Sequence, residues 1–244
     1  ISFGWIKSRR ARGRLTSAMI NEIESEVCKF FAVKQIDEIQ SNSLIAHFRR
    51  SNTESSAAPS IRAWLQKVKL DALEMPAKKF EPKSLKNKLS DLVKLSATTG
   101  KIVAKVRAFL QDLGIRLVTV KHLSKTRLDG AAFWINDSQP VIGITHRINR
   151  VDNFWFTLMH ELAHVDLHGN DKSTQFFDED ITGEKDDKRE LEANAQAQKW
   201  LIDENVYRQW LKTRDGYFTV NAVRKFAEEQ SIHPAIVIGR MQHE

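Results

Sequence analysis

Three residues within five positions, His160, Glu161 and His164, have the types and the spacing of a metal site. On a helix, side chains four positions apart lie one above the other, so both imidazoles can bind the same cation. Zinc suits these donors, and Glu161 lies on the flank, where it can reach a water molecule at the metal. The pattern therefore predicts a hydrolytic zinc site in which Glu161 takes up the proton of the attacking water.

The surrounding residues favour a metal over a set of unrelated histidines. One arc of the predicted helix over 151–168 carries five polar side chains: Thr157, His160, Glu161, His164 and His168. Apart from Asp166, the rest of the helix from residue 154 onward is apolar, so the helix is predicted to lie in the core. Buried histidine and glutamate are costly unless a partner such as a metal satisfies them. The alternative is that these histidines are exposed or hydrogen-bonded internally. For His168, a contact to substrate or to a ligand and a satisfied helix-end histidine both remain open.

A catalytic zinc site needs a third protein ligand and one open position. The helix predicted to begin near residue 187 offers two carboxylates, Glu190 and Glu192. Glu190 shares the apolar face of that helix, whereas Glu192 shares the polar face, so Glu190 is the predicted ligand and Glu192 an ordinary exposed carboxylate. Asn194, one turn after Glu190, is placed to accept a hydrogen bond from a liganding imidazole. A donor for the oxyanion is also needed, and three residues are candidates: His122, His146 and Tyr207.

Short elements upstream must position the helix that carries the motif. Three β-branched or aromatic runs predict a small sheet of about three strands: 115–120, 130–136 and 140–146. The last run is predicted to be an edge strand against which an extended substrate pairs. Before the sheet, apolar residues recur every three or four positions and predict helices that begin after Thr16 or Ser17, at Ser60, at Pro82 and at Ile102.

Downstream of the motif the sequence predicts an acidic loop over 169–187 and three more helices, at 187–202, at 219–230 and from Pro234 onward. The last two carry little net positive charge, so they are predicted to pack against the metal domain rather than bind DNA. The six tryptophans lie among apolar positions and are predicted core residues. The predicted fold class is α+β, mostly helical, with an N-terminal helical region.

Composition and charge exclude several other classes of protein. The 244 residues are 41% hydrophobic and 28% charged, as in a globular protein, and no apolar run approaches the ~18 residues that span a bilayer. Cys28 is the single cysteine, which predicts a reducing cytoplasm and no disulfide. Residues 1–127 hold 25 basic and 11 acidic side chains, a net charge of +14, whereas residues 128–244 hold 13 and 20, a net charge of −7. Only the basic half, above all the run from Lys7 to Arg14, is therefore expected to face DNA.

The segment FWFTLMHELAHVDLHG, followed by ELEANAQAQKWL, resembles the ImmA/IrrE metallopeptidase family, whose pattern is HExxH and then a Glu-x-x-x-Asn/Asp helix. The resemblance implies a zincin-like domain over 100–244 behind a basic helical connecting region over 1–99. It also implies Zn²⁺ on His160, His164 and Glu190, with Glu161 as general base and acid. The longer members of the family carry a HigA-like (XRE) helix-turn-helix upstream. Because the chain begins with Ile1, we expect such a regulator or antitoxin domain to precede it.

The resemblance implies a zinc-dependent endopeptidase within a transcriptional regulator or toxin-antitoxin system. Its expected substrate is a repressor or antitoxin-like protein, and its expected compartment is the cytoplasm, with no membrane contact. DNA would be bound only through the upstream domain or the basic N-terminal region. The alternative is a regulatory or antitoxin protein that uses the same domain to bind a partner or sense a ligand without cleaving anything.

Overall fold

The computed structural model describes residues 16–41, 46–50, 58–76, 78–123, 126, 128–136, 138–145, 150–169, 184–214 and 217–243. The helices in these segments are α1 (Ser17–Phe31), α2 (Glu38–Ser41), α3 (Ala58–Leu73), α4 (Pro82–Lys94), α5 (Ile102–Asp112), α6 (Val151–His168), α7 (Glu184–Leu201), α8 (Glu204–Lys212), α9 (Val220–Glu229) and α10 (Pro234–His243). The strands are β1 (Ala46–Arg50), β2 (Arg116–Val120), β3 (Leu128–Trp134) and β4 (Pro140–Thr145). The predicted α+β class with a majority of helix is confirmed.

Local capping explains where several helices begin and end. The hydroxyls of Thr16 and Thr219 accept hydrogen bonds from backbone N–H groups in the first turns of α1 and α9. Pro82 lies in the first turn of α4, where its missing N–H costs nothing. After α5, Gly114 has a φ of +83°, a left-handed conformation that suits glycine. These predicted boundaries are confirmed, and α3 begins slightly before the predicted start, at Ala58.

Helix α8 is an addition to the predicted elements. The Asp203 carboxylate accepts hydrogen bonds from the N–H groups of Asn205 and Val206, so it caps a new helix two residues after α7 ends. α8 places Tyr207 and Trp210 in the core. The segment after Leu201 is therefore a further helix that contributes to the same core as α6.

The sheet contains four strands in the order β1-β3-β4-β2. β3 pairs antiparallel with both β1 and β4, and β2 pairs parallel with β4. The three predicted strands are confirmed as β2, β3 and β4, and β1 is a fourth strand from the N-terminal half. The prediction that the 140–146 run forms an edge strand is wrong, because β4 lies between β3 and β2. Every residue of β4 is buried, as expected of a central strand with both faces covered.

Helices cover both faces of the sheet. On one face lies α6, in a core that also takes residues from α4, α5 and the C-terminal helices. On the other face lies α3, whose Trp64 and Val68 pack so closely that a Cβ on Gly143 of β4 would lie 2.7 Å from the Trp64 ring. Trp64, Trp155 and Trp210 are buried as predicted, Trp134 and Trp200 are only partly buried against the core, and Trp5 lies outside the described residues.

The C-terminal helices belong to the same core as the motif helix. α9 and α10 pack on each other, and α10 packs on α6, which confirms the predicted packing role. Arg240 of α10 donates a hydrogen bond to the Ile202 carbonyl at 3.1 Å, forms an ion pair with Glu204, and lies 4.1 Å above the centre of the Tyr207 ring. Among the described helices, none combines the length and the apolar character that crossing a bilayer requires.

Candidate metal centre

The centre lies where α6 packs along α7. α6 is buried on nearly all sides, and the side chains of His160, Glu161 and His164 are inaccessible to water. Fully buried alanines at positions 193 and 197 let the backbone of α7 approach α6. This close approach brings a carboxylate of α7 to the polar stripe of α6.

Three donor atoms converge between the two helices. The Nε2 atoms of His160 and His164 are 3.1 Å apart. The Glu190 carboxylate spans both imidazoles, with one oxygen 3.1 Å from His160 Nε2 and the other 3.3 Å from His164 Nε2. Donors held tetrahedrally at the bond lengths of zinc lie about 3.4 Å from one another. The set of two imidazole nitrogens and one carboxylate therefore fits a zinc ion in both chemistry and spacing. Within the described part of the chain, these three residues form a group that could hold a metal ion.

The charges of two of these side chains, His164 and Glu190, suit a cation at neutral pH. Burial lowers the pKa of His164 to about 4, against the opposing effect of the neighbouring Glu190. Burial alone would raise the pKa of Glu190, but hydrogen bonds with His160 and His164 outweigh it and lower that pKa to about 2. At pH 7, His164 is therefore a neutral imidazole with a lone pair to give, and Glu190 is a carboxylate.

Each imidazole has a second nitrogen, which contacts a further side chain. His160 Nδ1 lies 3.0 Å from Asn194 Oδ1, the contact that the sequence predicts for Asn194. His164 Nδ1 lies 3.0 Å from His168 Nδ1, and His168 Nε2 lies 3.3 Å from Glu192 Oε2. His168 therefore contacts a candidate ligand and is also a hydrogen-bonded histidine at the end of α6, so both roles left open for it stay predictions. Glu192 is 48% exposed, as predicted for a carboxylate on the polar face, but sequence reasoning missed its contact with His168.

Glu161 is placed beside the donor set by a strand. A Cβ on Gly130 of β3 would lie 2.7 Å from Glu161 Oε1 and 2.7 Å from Thr157 Cγ2. The missing side chain at Gly130 therefore makes the space that the Glu161 carboxylate fills. Sequence reasoning missed this residue, and the signal that could have found it was a glycine inside a predicted strand, where glycine often marks a close approach.

A cavity of about 540 Å³ adjoins the centre between β3, α6, α7 and α10. Phe156, one turn before His160, and Asn194 line the side nearest the imidazoles. Asp129, the neighbour of Gly130, and Arg240 line other sides. A cavity of this size, with mixed apolar and charged walls, is in the range of ligand-binding pockets.

The other residues and segments that the sequence analysis singled out are not part of the donor set. His122 is exposed at the end of β2, and Tyr207 is buried in the C-terminal core, where its ring contacts Trp210 and Phe226. His146 lies outside the described residues. So do the basic run from Lys7 to Arg14 and most of the acidic loop, residues 170–183.

A helix with His-Glu-x-x-His, joined by a glutamate from the next helix, is the donor arrangement of zinc-dependent peptidases, so fold and site define a metallopeptidase-like domain. Residues 110–230 match the family model Peptidase_M78, the IrrE N-terminal-like domain. This part of the chain, which contains all four predicted site residues, is therefore similar to IrrE N-terminal-like domains, as the resemblance implies. The expected upstream helix-turn-helix stays a prediction. No match was found among curated proteins.

Proposed function

We propose that this chain is a zinc-dependent endopeptidase that hydrolyses a peptide bond in another protein. The observation that carries the proposal is the convergence of His160 Nε2, His164 Nε2 and the Glu190 carboxylate, at mutual distances of 3.1–3.3 Å. These three residues would hold the ion, and the match of residues 110–230 to a peptidase family supports the same reading. When bound, zinc lowers the pKa of water and polarises a carbonyl group.

In this proposal, Glu161 acts first as the general base and then as the general acid. Its carboxylate takes a proton from the attacking water, whose oxygen forms a bond to the carbonyl carbon of the scissile peptide. The C–N bond then breaks, and Glu161 passes the proton to the leaving amine, so the products are an amine and a carboxylic acid, which releases its remaining proton to solvent at neutral pH. Glu161 is inaccessible to bulk water, and its carboxylate lies against Gly130 of β3, which limits where it can move.

The substrate in this proposal is a repressor or antitoxin-like protein, and the setting is a transcriptional regulator in the cytoplasm. The resemblance to the ImmA/IrrE family supports the substrate class, and the lone Cys28 supports a reducing compartment. The surplus of basic residues in the N-terminal half supports contact with DNA or with a DNA-binding domain.

One feature of the sheet favours a second candidate function, a regulator that binds a partner without cleaving it. Extended peptides commonly bind by adding a strand to a sheet edge. The strand beside Glu161 is β3, and its outer edge is already paired with β1, where Arg49 lies opposite Gly130. A substrate that pairs with β3 itself must therefore displace β1. If it cannot, the same residues bind a metal in an occluded site.

Metal content and peptide cleavage distinguish the two functions. The wild type and Glu161→Gln are expected to retain zinc, and only the wild type is expected to cleave candidate repressor, antitoxin or toxin proteins. His160→Ala is expected to lose the zinc, and His122→Ala, at an exposed position, serves as the matched control that keeps both properties. Unchanged zinc content in His160→Ala would disprove the site assignment. Zinc binding without cleavage of any candidate would favour the non-cleaving regulator.

A further inference from the structure

We infer that His168 and Glu192 form a hydrogen-bonded relay that positions His164 for metal binding. The inference rests on the proposed function, because it takes His164 to be a ligand. It assigns a role to two residues outside the motif, one at the end of α6 and one on the polar face of α7. Neither residue touches the reacting atoms in this proposal, so both act through His164.

The direction of each hydrogen bond follows from the donor set. His164 points its Nε2 at His160 and Glu190, so the lone pair for the metal is on Nε2. A neutral imidazole then carries its proton on Nδ1. This Nδ1–H donates to His168 Nδ1 at 3.0 Å. His168 in turn carries its proton on Nε2 and donates to Glu192 Oε2 at 3.3 Å.

The arrangement gives each of the two imidazole ligands its own orienting group, and both groups are tied to α7. Asn194 accepts directly from His160 Nδ1 at 3.0 Å. His164 is oriented indirectly: it contacts His168, and His168 contacts the carboxylate of Glu192, which lies two residues before Asn194 on α7. Partners of this kind fix the ring orientation and make the liganding imidazole more basic. A carboxylate at the end of the chain does so more strongly than a neutral amide.

The burial of His168 argues against a merely solvated helix-end histidine. His168 is only 7% exposed, and a buried imidazole needs hydrogen-bond partners for its nitrogens. Its two ring nitrogens contact groups on two different helices, His164 on α6 and Glu192 on α7. Glu192 is half-exposed, so the relay ends at the surface, where water and Lys188, 3.9 Å away, also stabilise the carboxylate.

The test measures zinc affinity in the full chain by competition with a chromophoric chelator, together with the visible spectrum of the Co²⁺-loaded protein. His168→Phe, which fills the space without accepting a hydrogen bond, is expected to weaken zinc binding by about 10- to 100-fold and to alter the Co²⁺ spectrum. His168→Gln, whose amide can accept from His164 and donate to Glu192, is expected to restore most of the affinity. A purely structural His168 would change the Tm of the metal-free protein but not the spectrum.

Glu192→Gln provides a second variant at a half-exposed position, where folding is not at risk, and its zinc affinity is expected to fall several-fold. Glu229→Gln, on the exposed face of α9, is the matched control and is expected to bind zinc as the wild type does. If Glu192→Gln and His168→Phe both keep wild-type affinity and spectrum while His164→Ala loses the metal, the relay is disproved and the metal site stands. If His164→Ala also keeps full affinity, both the relay and the proposed function fail.

Discussion

The position of Glu161 depends on Gly130, because a Cβ there would lie 2.7 Å from the carboxylate. Gly130→Ala must therefore push Glu161 or β3 aside. We expect kcat/KM for peptide cleavage to fall by about 100-fold, since a general base displaced by about 1 Å loses that much, while zinc content stays at the wild-type level. Steady-state kinetics and metal analysis of the purified variant check this.

Gly143→Ala is the matched control for this substitution. Its new Cβ meets the Trp64 ring, also at 2.7 Å, but on the face of the sheet opposite the metal centre. Both variants are expected to lose about 1–3 kcal/mol in the free energy of unfolding from overpacking. Only Gly130→Ala should lose activity, and an equal loss of activity in both would show that the effect is general destabilisation.

Acid should weaken the metal-free fold through two residues of the centre. The pKa of His164 is about 4 in the fold and ordinarily 6.5, so the unfolded chain binds more protons between these values and stability falls as the pH decreases through them. The pKa of Glu190 falls from 4.5 to about 2 in the fold, which continues the loss in the same direction at lower pH. We expect His164 to contribute a loss on the order of 3 kcal/mol in the free energy of unfolding between pH 7 and 4.

Urea unfolding of the chelator-treated protein at several pH values measures this dependence. His164→Gln should flatten the profile between pH 6.5 and 4, whereas His122→Gln, at an exposed position, should leave it as it is. A profile that keeps its slope in His164→Gln would show that other groups cause the acid sensitivity.

Residue types and helical spacing were enough to predict which side chains meet at the centre. His160, His164 and Glu190 converge because each lies on the predicted inner face of its helix, and Asn194 follows from the same periodicity. The contacts of Gly130 and Glu192 could not be predicted in this way. They depend on how a strand and a helix are placed against α6, and no local pattern in the sequence contains that placement.

At the level of elements, β1 occupies the edge of β3, the strand that lies against Glu161. In the proposed enzyme, β1 competes with an extended substrate for the edge of β3. Replacing both His47 and Phe48 with proline removes an N–H directed at β3, whichever of the two residues donates it. If β1 covers the edge about nine-tenths of the time, we expect kcat/KM for a peptide to rise about tenfold, with zinc affinity unchanged.

The corresponding double alanine variant keeps both N–H groups and is expected to resemble the wild type. Steady-state kinetics of peptide hydrolysis for the wild type, the double proline variant and the double alanine variant measure this effect. A lower kcat/KM in the proline variant, with zinc retained, would show that β1 is a structural strand rather than a competitor of the substrate.

Helices and strands were predicted correctly where the local sequence pattern was strong and missed where it was weak. α6 has the predicted bounds because the apolar residues around its polar stripe extend from Phe154 to Leu167, with Asp166 as the one exception. β1 was missed because five residues that include two arginines and a histidine give no clear alternation. β4 was predicted as a strand but placed wrongly in the sheet, since strand order is set by long-range pairing rather than by the residues of the strand itself.

Over the whole molecule, two helices of the N-terminal half, α3 and α4, contribute side chains to the cores on either face of the sheet. α3 covers one face of the sheet with Trp64, Leu65 and Val68, against strand residues such as Phe133. α4 adds apolar residues to the core that holds α6. The folded unit therefore extends well before residue 110, where the match to the peptidase family begins.

This packing predicts where the chain can be shortened. A chain of residues 100–244, the predicted metallopeptidase domain, would expose the sheet face under α3 and lose four core side chains of α4: Leu85, Leu89, Leu92 and Val93. Each large apolar side chain contributes about 1.5–3 kcal/mol when buried, so together the missing contacts equal the whole stability of a typical domain, about 5–15 kcal/mol. We expect residues 100–244 to show no cooperative thermal unfolding, and residues 58–244 to unfold cooperatively near the Tm of the full chain. Circular dichroism melts of the three chains test this, and a cooperative transition for residues 100–244 at the Tm of the full chain would show that α3 and α4 are dispensable and that the domain does begin at residue 100.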